Sequence, residues 1–240
     1  MFRGIYASAC ALVEQMARVD LLAANLANAS TPGYRRLVTA PESFPELISA
    51  GSSPSPGTLR LGVTAAPPIV DLSSGPIEKT DNPLDLAIAG DGFFVISHPS
   101  GTRLYTRAGR FLLDATGRLV TPDGYPVLSD RGEVRLPPGR ISVAEDGTIA
   151  VDNKPIAKLL IVSFPPTASL SPAGHTYYTT TSAPQSTSQA RVLQGAIEHS
   201  NVNPARELGQ MMVALRVYEA SVRAMSLQDS SFARLLQAVA

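Results

Sequence analysis

The end of the chain constrains the fold most. Leu208, Met211, Leu215, Tyr218, Val222, Met225, Asp229, Phe232, Leu236 and Val239 follow one another at spacings of three and four. A mean period of about 3.5 residues marks a heptad seam rather than a helix resting on a globular core. Asn203 suits an N-cap and Pro204 a first helical residue, so the spacing predicts a helix over 204–238. At about 1.5 Å per residue it is ~50 Å long, too long for one small β domain to cover. Its stripe therefore needs a partner helix. Residues 1–28 supply one: Phe2, Ile5, Ala9, Leu12, Met16, Val19, Ala23 and Leu26 repeat the same spacing. That helix is expected to stop at Asn28-Ala29-Ser30-Thr31-Pro32-Gly33, where Pro32 disfavours a helical Thr31 and Gly33 permits positive φ.

Both helices carry apolar residues off the seam. Leu21 and Leu22 in the first, and Met212, Val217 and Leu235 in the second, would stand in water on a two-stranded stalk. Burial against further subunits is the alternative to such a stalk, and the one these residues favour. Free monomers would then order their ends on assembly. Asp229 is the polar member of the second seam. It either fixes register, as a single polar seam residue can, or faces a water-filled gap.

Between the helices the chain reads as β. Residues 35–70 interleave Pro41, Pro45, Pro54, Pro56, Pro67 and Pro68 with glycines and serines, a connector in which neither a long helix nor a central strand is expected. Residues 71–194 form the expected β-rich outer domain. Phe93–Ile96 returns as Arg103–Arg107; hairpin turns are expected at Asp114–Gly117 and Glu145–Gly147; Lys158–Phe164 is a buried strand ended by Pro165-Pro166. Residues 166–190, rich in Ser, Thr, Pro and Gln, read as a loop leaving the domain. The fold class is therefore α+β. Terminal heptad helices (1–34 and 195–240) form a coiled-coil assembly domain, and an antiparallel β domain is inserted between them.

Composition argues against several functions. Twenty basic residues balance twenty acidic ones, so no net field draws nucleic acid or an anionic membrane. No segment is long and apolar enough to span a bilayer, and Glu14, Gln15, Arg18 and Asp20 interrupt any signal-like apolar run near the start. Cys10 is the single cysteine, so no intramolecular disulfide is expected; among Ala9, Ala11 and Leu12 it reads as a small packed side chain. His98, His175 and His199 lie far apart without zinc spacing or a nucleophile motif, so no catalytic residue, metal or cofactor is expected. Gly90-Asp91-Gly92-Phe93 leads into a strand, not a helix, so it is no phosphate cradle. Asp114, Asp123 and Asp146 sit in glycine turns, where Asx hydrogen bonds account for them. Tyr105, Arg107, Arg110 and Arg118 suggest cross-strand packing with solvated arginines, a subunit contact remaining open.

Four motifs carry a family resemblance. Leu22-Ala23-Ala24-Asn25-Leu26-Ala27-Asn28-Ala29-Ser30-Thr31-Pro32-Gly33-Tyr34 resembles the NNLAN…TxG[FY] motif of bacterial flagellar rod and hook proteins, with Ala24 in place of the usual first Asn. Gly90-Asp91-Gly92-Phe93-Phe94-Val95 is similar to the family's GDGFF strand. Tyr105–Phe111 with Leu119–Leu128 resembles its YTRAG…LVT..G.PVL block, and Glu198-His199-Ser200-Asn201-Val202 its approach to the C-terminal helix. The matches lie in order across nearly the whole chain. The length suits a rod subunit rather than a hook subunit, and Asn82-Pro83-Leu84-Asp85 with the compact middle looks more like the proximal rod subunit than the distal one.

The resemblance implies a structural subunit of the basal-body rod, crossing the periplasm and exported by the flagellar type III apparatus without a cleaved signal. It implies copies of itself and neighbouring rod and hook proteins as partners, an inner helical tube with the β domain outside, and an axle that transmits torque while its lumen passes later subunits. No small-molecule substrate or membrane insertion is implied. The competing reading is a non-catalytic binding module on a helical stalk, for a ligand such as peptidoglycan.

Overall fold

A computed structural model describes residues 2–39, 41–48, 57–65, 68–165, 168, 170–174, 176–186 and 190–239. The chain divides into two compact units. One holds helix α1 (Phe2–Ala27), helix α2 (Pro204–Val239) and the strands Pro41–Ile48 and Gly57–Ala65. The other, the β body, holds residues 28–36 and 69–202. These boundaries differ from the expected 34/35 and 194/195. Gly33 and the segment after Arg191 belong to the body because they are hydrogen-bonded into it: Gly33 N–H donates to Glu198 O, and Ala196–Glu198 pairs with Ile77–Lys79.

In the first unit, α1 and α2 pack together with the last turn of α1 beside the first turn of α2, an antiparallel pair. Asn203 caps α2 as expected, its Oδ1 accepting Arg206 N–H at 3.1 Å ahead of Pro204. The expected connector is instead partly an antiparallel hairpin, Pro41–Ile48 with Gly57–Ala65. The prolines allow it. Pro41 opens its strand and Pro45 sits where the register shifts, places where a missing N–H does least harm. Pro54, Pro56 and Pro67 lie outside the described residues.

The β body is antiparallel. Its six-stranded sheet runs in the order Ser171–Pro172, Tyr177–Thr179, Arg103–Thr106, Phe93–Ser97, Ile161–Ser163, Gln185–Ser186. A three-stranded sheet joins Ile141–Val143, Thr148–Val151 and Lys154–Lys158. The hairpins expected at Asp114–Gly117 and Glu145–Gly147 form. Two expectations are corrected. The segment 166–190 is no simple exit loop, because Tyr177–Thr179 pairs with Arg103–Thr106 and its two aromatic rings are buried. The run Lys158–Phe164 is interrupted at Leu159-Leu160, so it ends one strand and begins another. The core centres on Phe94, Ile96, Phe111, Leu119, Val127 and Ile149, with Phe94 and Phe111 edge to face at 5.2 Å.

Candidate functional site

Two regions carry the residues singled out by sequence, one in each unit. In the β body they meet at a buried cluster. Gly33 adopts φ +72°, and a Cβ there would stand 2.1 Å from Ala108 N, so glycine is needed for conformation and for closeness. The tight turn delivers Tyr34 and Arg35 into the interior. Arg35 Nη1 lies 2.8 Å from Glu198 Oε1, and neither side chain is exposed to solvent. Arg107 reaches the other carboxylate oxygen from its own strand end, Nη1 to Oε2 at 3.1 Å. One glutamate thus bridges two arginines.

Backbone groups meet some of the remaining lone pairs and donors, while Arg35 Nε and Nη2 and Arg107 Nε are buried without a hydrogen-bond partner. Gly75 N–H donates to Glu198 Oε1 at 2.8 Å and Arg35 Nη1 donates to Ser73 O at 2.7 Å. Arg107 donates to Ile88 O and Gly90 O at 3.1 and 2.7 Å, and its guanidinium lies 5.3 Å from the Phe93 ring centre. The Gly90-Asp91-Gly92-Phe93 turn thus offers an arginine the Gly90 carbonyl and the Phe93 ring. Arg35 N–H donates to the Tyr178 hydroxyl at 2.9 Å. Asn201 stitches the edge: its Oδ1 accepts Arg36 N–H at 2.7 Å and its Nδ2 donates to Ser73 O at 2.9 Å.

The charge balance of the cluster leans positive. Burial pushes the Arg107 guanidinium down to about 10; the Glu198 carboxylate opposes this and the neighbouring Arg35 adds to it. Burial pushes the Tyr178 phenol well above the usual tyrosine range, against the Arg35 N–H it accepts. This arrangement holds distant chain segments together, and no nucleophile and base converge in it. Among the described residues no group of three His, Cys, Asp or Glu side chains is placed to hold a metal ion.

The cluster corrects the view of Arg107 as a solvated surface arginine: it is buried in an ion pair, while Arg110 is exposed and Arg118 pairs with Asp114 at 2.7 Å. Asp114 and Asp146 make the expected turn hydrogen bonds to Thr116 N–H and Thr148 N–H. Asp123 does something else, accepting the Tyr177 hydroxyl. Sequence reasoning passed over Arg35, Arg107 and Glu198 as a set. The available signal was a charged residue beside a close-approach glycine in each motif, Gly33 before Arg35 and Gly109 after Arg107.

In the helical unit, α2 covers Glu207, Met211, Ala214, Tyr218, Ser221 and Met225, spaced four and three apart. Met211, Tyr218 and Met225 of the seam are thus partly covered, whereas Leu208, Leu215 and Val222 are 46%, 44% and 42% exposed. Met212 is exposed beside them, and so is Asp229. On α1, Leu12, Val19 and Leu26 are half-buried and Met16 is exposed. Leu22 is buried rather than left in water, because the covered row of α1 includes Gln15, Leu22 and Asn25. The side chains of Ile5, Phe232 and Leu236 lie outside the described residues. Asn25 is wholly buried: its Nδ2 donates to Leu37 O and its Oδ1 accepts Leu37 N–H, both at 2.9 Å, and Nδ2 also donates to Glu207 Oε2 at 3.3 Å.

Comparison with known proteins finds relatives along nearly the whole chain. The family model described as "Flagella basal body rod protein" matches residues 5–35. "Flagellar hook protein FlgE/F/G D1 domain" matches 87–151 and "Flagellar basal body rod FlgEFG protein C-terminal" matches 193–238. The flagellar basal-body rod protein FlgG of Buchnera aphidicola subsp. Schizaphis graminum is 32% identical over 262 residues, covering 99% of this chain and 100% of that protein. The flagellar basal-body rod protein FlgF of Escherichia coli K12 is 31% identical, covering 99% and 98%. FlgF of Caulobacter vibrioides is 34% identical, covering 86% and 85%. With relatives of this similarity aligned along nearly its full length, the chain belongs to the flagellar basal-body rod protein family.

Proposed function

We propose that the chain is a structural subunit of the flagellar basal-body rod that polymerises through its terminal helices. The single observation that carries this is the exposed row Leu208, Met212, Leu215 and Val222 on α2, which persists after α1 has packed against the helix. An antiparallel pair leaves that row in water, and burying it against neighbouring copies removes the penalty. The helices would form a coiled-coil inner tube, with Ile5, Leu12, Met16, Val19 and Leu26 of α1 and the α2 seam at subunit contacts. The β bodies would form its outer layer. The assembled tube would serve as axle and export conduit, its subunits delivered by the export apparatus to the basal body. Among the described residues no helix is long and apolar enough to cross a membrane. Within the rod, Asn82-Pro83-Leu84-Asp85 and the compact middle favour the proximal position over the distal one.

The test is Leu215→Asp with Val222→Asp. Polymerisation and motility are expected to be lost, with the β body folded as before. Normal rod assembly by the double variant would overturn the reading. Deleting residues 1–28 or 205–240 separates it from a stalked binding module, which would keep its ligand affinity.

A further inference from the structure

We propose that α2 carries a second docking surface, the row Val213, Val217, Ala220, Ala224 and Leu227, and that its occupant is the exposed row through Leu208 and Leu215 on α2 of a second copy. The proposal rests on the reading that these helices polymerise, and it names which surface of one copy meets which surface of the next. A subunit with one adhesive face stops at a closed pair, whereas a subunit with two faces that fit each other continues.

The second row is distinct from the first. Val213, Val217 and Leu227 are exposed, as are both alanines. The covered row of α2 runs through Glu207, Ala214 and Met225. At about 100° per residue, the Leu208 row stands about a quarter-turn to one side of it and the Val213 row about a third of a turn to the other. Arg216 and Arg223, both exposed, lie on the arc between the two rows, opposite the covered one. One partner laid across both rows would bury these two guanidinium groups, which is costly without acids to meet them. Two partners, one on each side, cover the rows and leave the arginines in water.

Shape, length and charge point to a second copy as the partner. The Leu208 row is built of long side chains, with Met212 between two leucines. The Val213 row has Ala220 and Ala224 one turn apart, framed by Val217 and Leu227, so it presents a shallow groove where the other presents a ridge. Residues 208–222 and 213–227 are equal stretches, each about 21 Å of helix. Glu219 borders the ridge and Arg216 borders the groove, and both are exposed. Seating ridge in groove therefore brings an acid of one copy to the same edge as a base of the next, as edge charges do in paired helices. Groove on groove would set alanine against alanine and bring Arg216 to the edge from both sides. Each copy added ridge to groove presents a fresh surface at the growing end, so the contact closes into a ring or runs on as a helix.

The test uses the full-length chain in two double variants. Leu215→Asp with Val222→Asp breaks the ridge, and Val217→Glu with Ala224→Glu breaks the groove. Each is held at the concentration at which the parent polymerises, alone and mixed one to one. Species are read by native mass spectrometry, with far-UV circular dichroism as the check on helix content. Each variant alone is expected to stay monomeric, and the mixture is expected to give dimers holding one chain of each kind and nothing longer. Homodimers of either variant alone would show like rows pairing and overturn the idea, as would a mixture that stays monomeric. Parent-like polymerisation of the groove variant overturns it too, and leaves the polymerisation reading standing. Parent-like polymerisation of the ridge variant instead sinks that reading, and this inference falls with it. Should the glutamates lower helix content, Val217→Gln with Ala224→Gln carries the same comparison.

Discussion

In the β body the charged residues Arg35, Glu198 and Arg107 are inside, and each is matched by an opposite charge or a carbonyl. In the helical unit the apolar residues Leu208, Leu215 and Val222 are outside, 46%, 44% and 42% exposed. Hydrophobicity alone would assign both sets the other way. The body behaves as a closed object whose ends, near residues 33 and 198, are pinned to its middle at residue 107. The helical unit behaves as an open one, whose own-chain contact uses only part of its apolar surface. On the proposed assembly, the first region is finished on folding and the second is completed by other copies.

Removing Glu198 should break this contrast most severely. Glu198→Ala leaves two buried guanidinium groups without their carboxylate, and breaking a buried pair costs about 3–5 kcal/mol. Urea unfolding followed by tyrosine near-UV signals should show the β-body transition move to much lower denaturant. The helical far-UV signal should respond separately, since the chain is two units and need not unfold in one step. A single unshifted transition would show that the cluster contributes nothing to closing the body.

Gly33→Ala should come next. The added methyl meets the backbone at Ala108 in a left-handed conformation, and strain of this kind costs on the order of 1–3 kcal/mol before any backbone shift. The same substitution at Gly101, also at positive φ but with nothing within 4 Å, is the control and should lose less. Equal losses at both sites would mean that conformation alone, and not the approach to Ala108, makes Gly33 necessary.

How much of this was legible in the sequence follows from the range of the interactions. The helices, the N-cap at Asn203 and the Asp-Gly hairpins are set by neighbours a few residues apart, and periodicity and turn chemistry report them. The strand Tyr177–Thr179 was hidden among Ser, Thr and Pro because its burial depends on Arg103–Thr106, some seventy residues earlier, consistent with the Thr106 hydroxyl bond to Thr176 at a separation of 70. The hairpin at Pro41–Ile48 was hidden because a proline argues against a central strand but not against one partnered on a single side at a bulge. Arg107 looked solvated because no local pattern says that Glu198 lies beside it. Similarly, the heptad spacing gave the seam but not which alternate members α1 would cover.

A smaller effect is expected at alkaline pH. The Tyr178 phenol is held above its ordinary range, first by burial, and the Tyr177 phenol likewise by burial and by Asp123. The folded body keeps protons that the unfolded chain releases above pH 10.0, so this stability is complete below that pH and is lost as the pH rises beyond it. Arg107 works in the opposite sense. Depressed to about 10 from 12.5, it binds its proton more weakly when folded, so its contribution rises with pH across that window. The two phenols oppose one guanidinium, and a net alkaline loss follows. Urea midpoints compared at neutral pH and above pH 10 should fall less in Tyr178→Phe than in the parent, although the variant starts lower because Arg35 N–H loses its acceptor. An unchanged alkaline fall would remove Tyr178 from the account.

The smallest expected change in stability sharpens the comparison furthest. Leu208→Ser and Met212→Ser alter side chains that are 46% and 58% exposed, so each should shift the unfolding midpoint of the dilute subunit by no more than about 0.5 kcal/mol equivalent. Assembly should nonetheless weaken in both, read as a higher critical concentration for polymerisation. A substitution that is silent in the monomer and damaging in the polymer has only one place to act, the surface that other copies cover. If instead these variants destabilised the dilute subunit as much as Gly33→Ala, the row would already be covered within the chain, and the helical unit would be as closed as the β body.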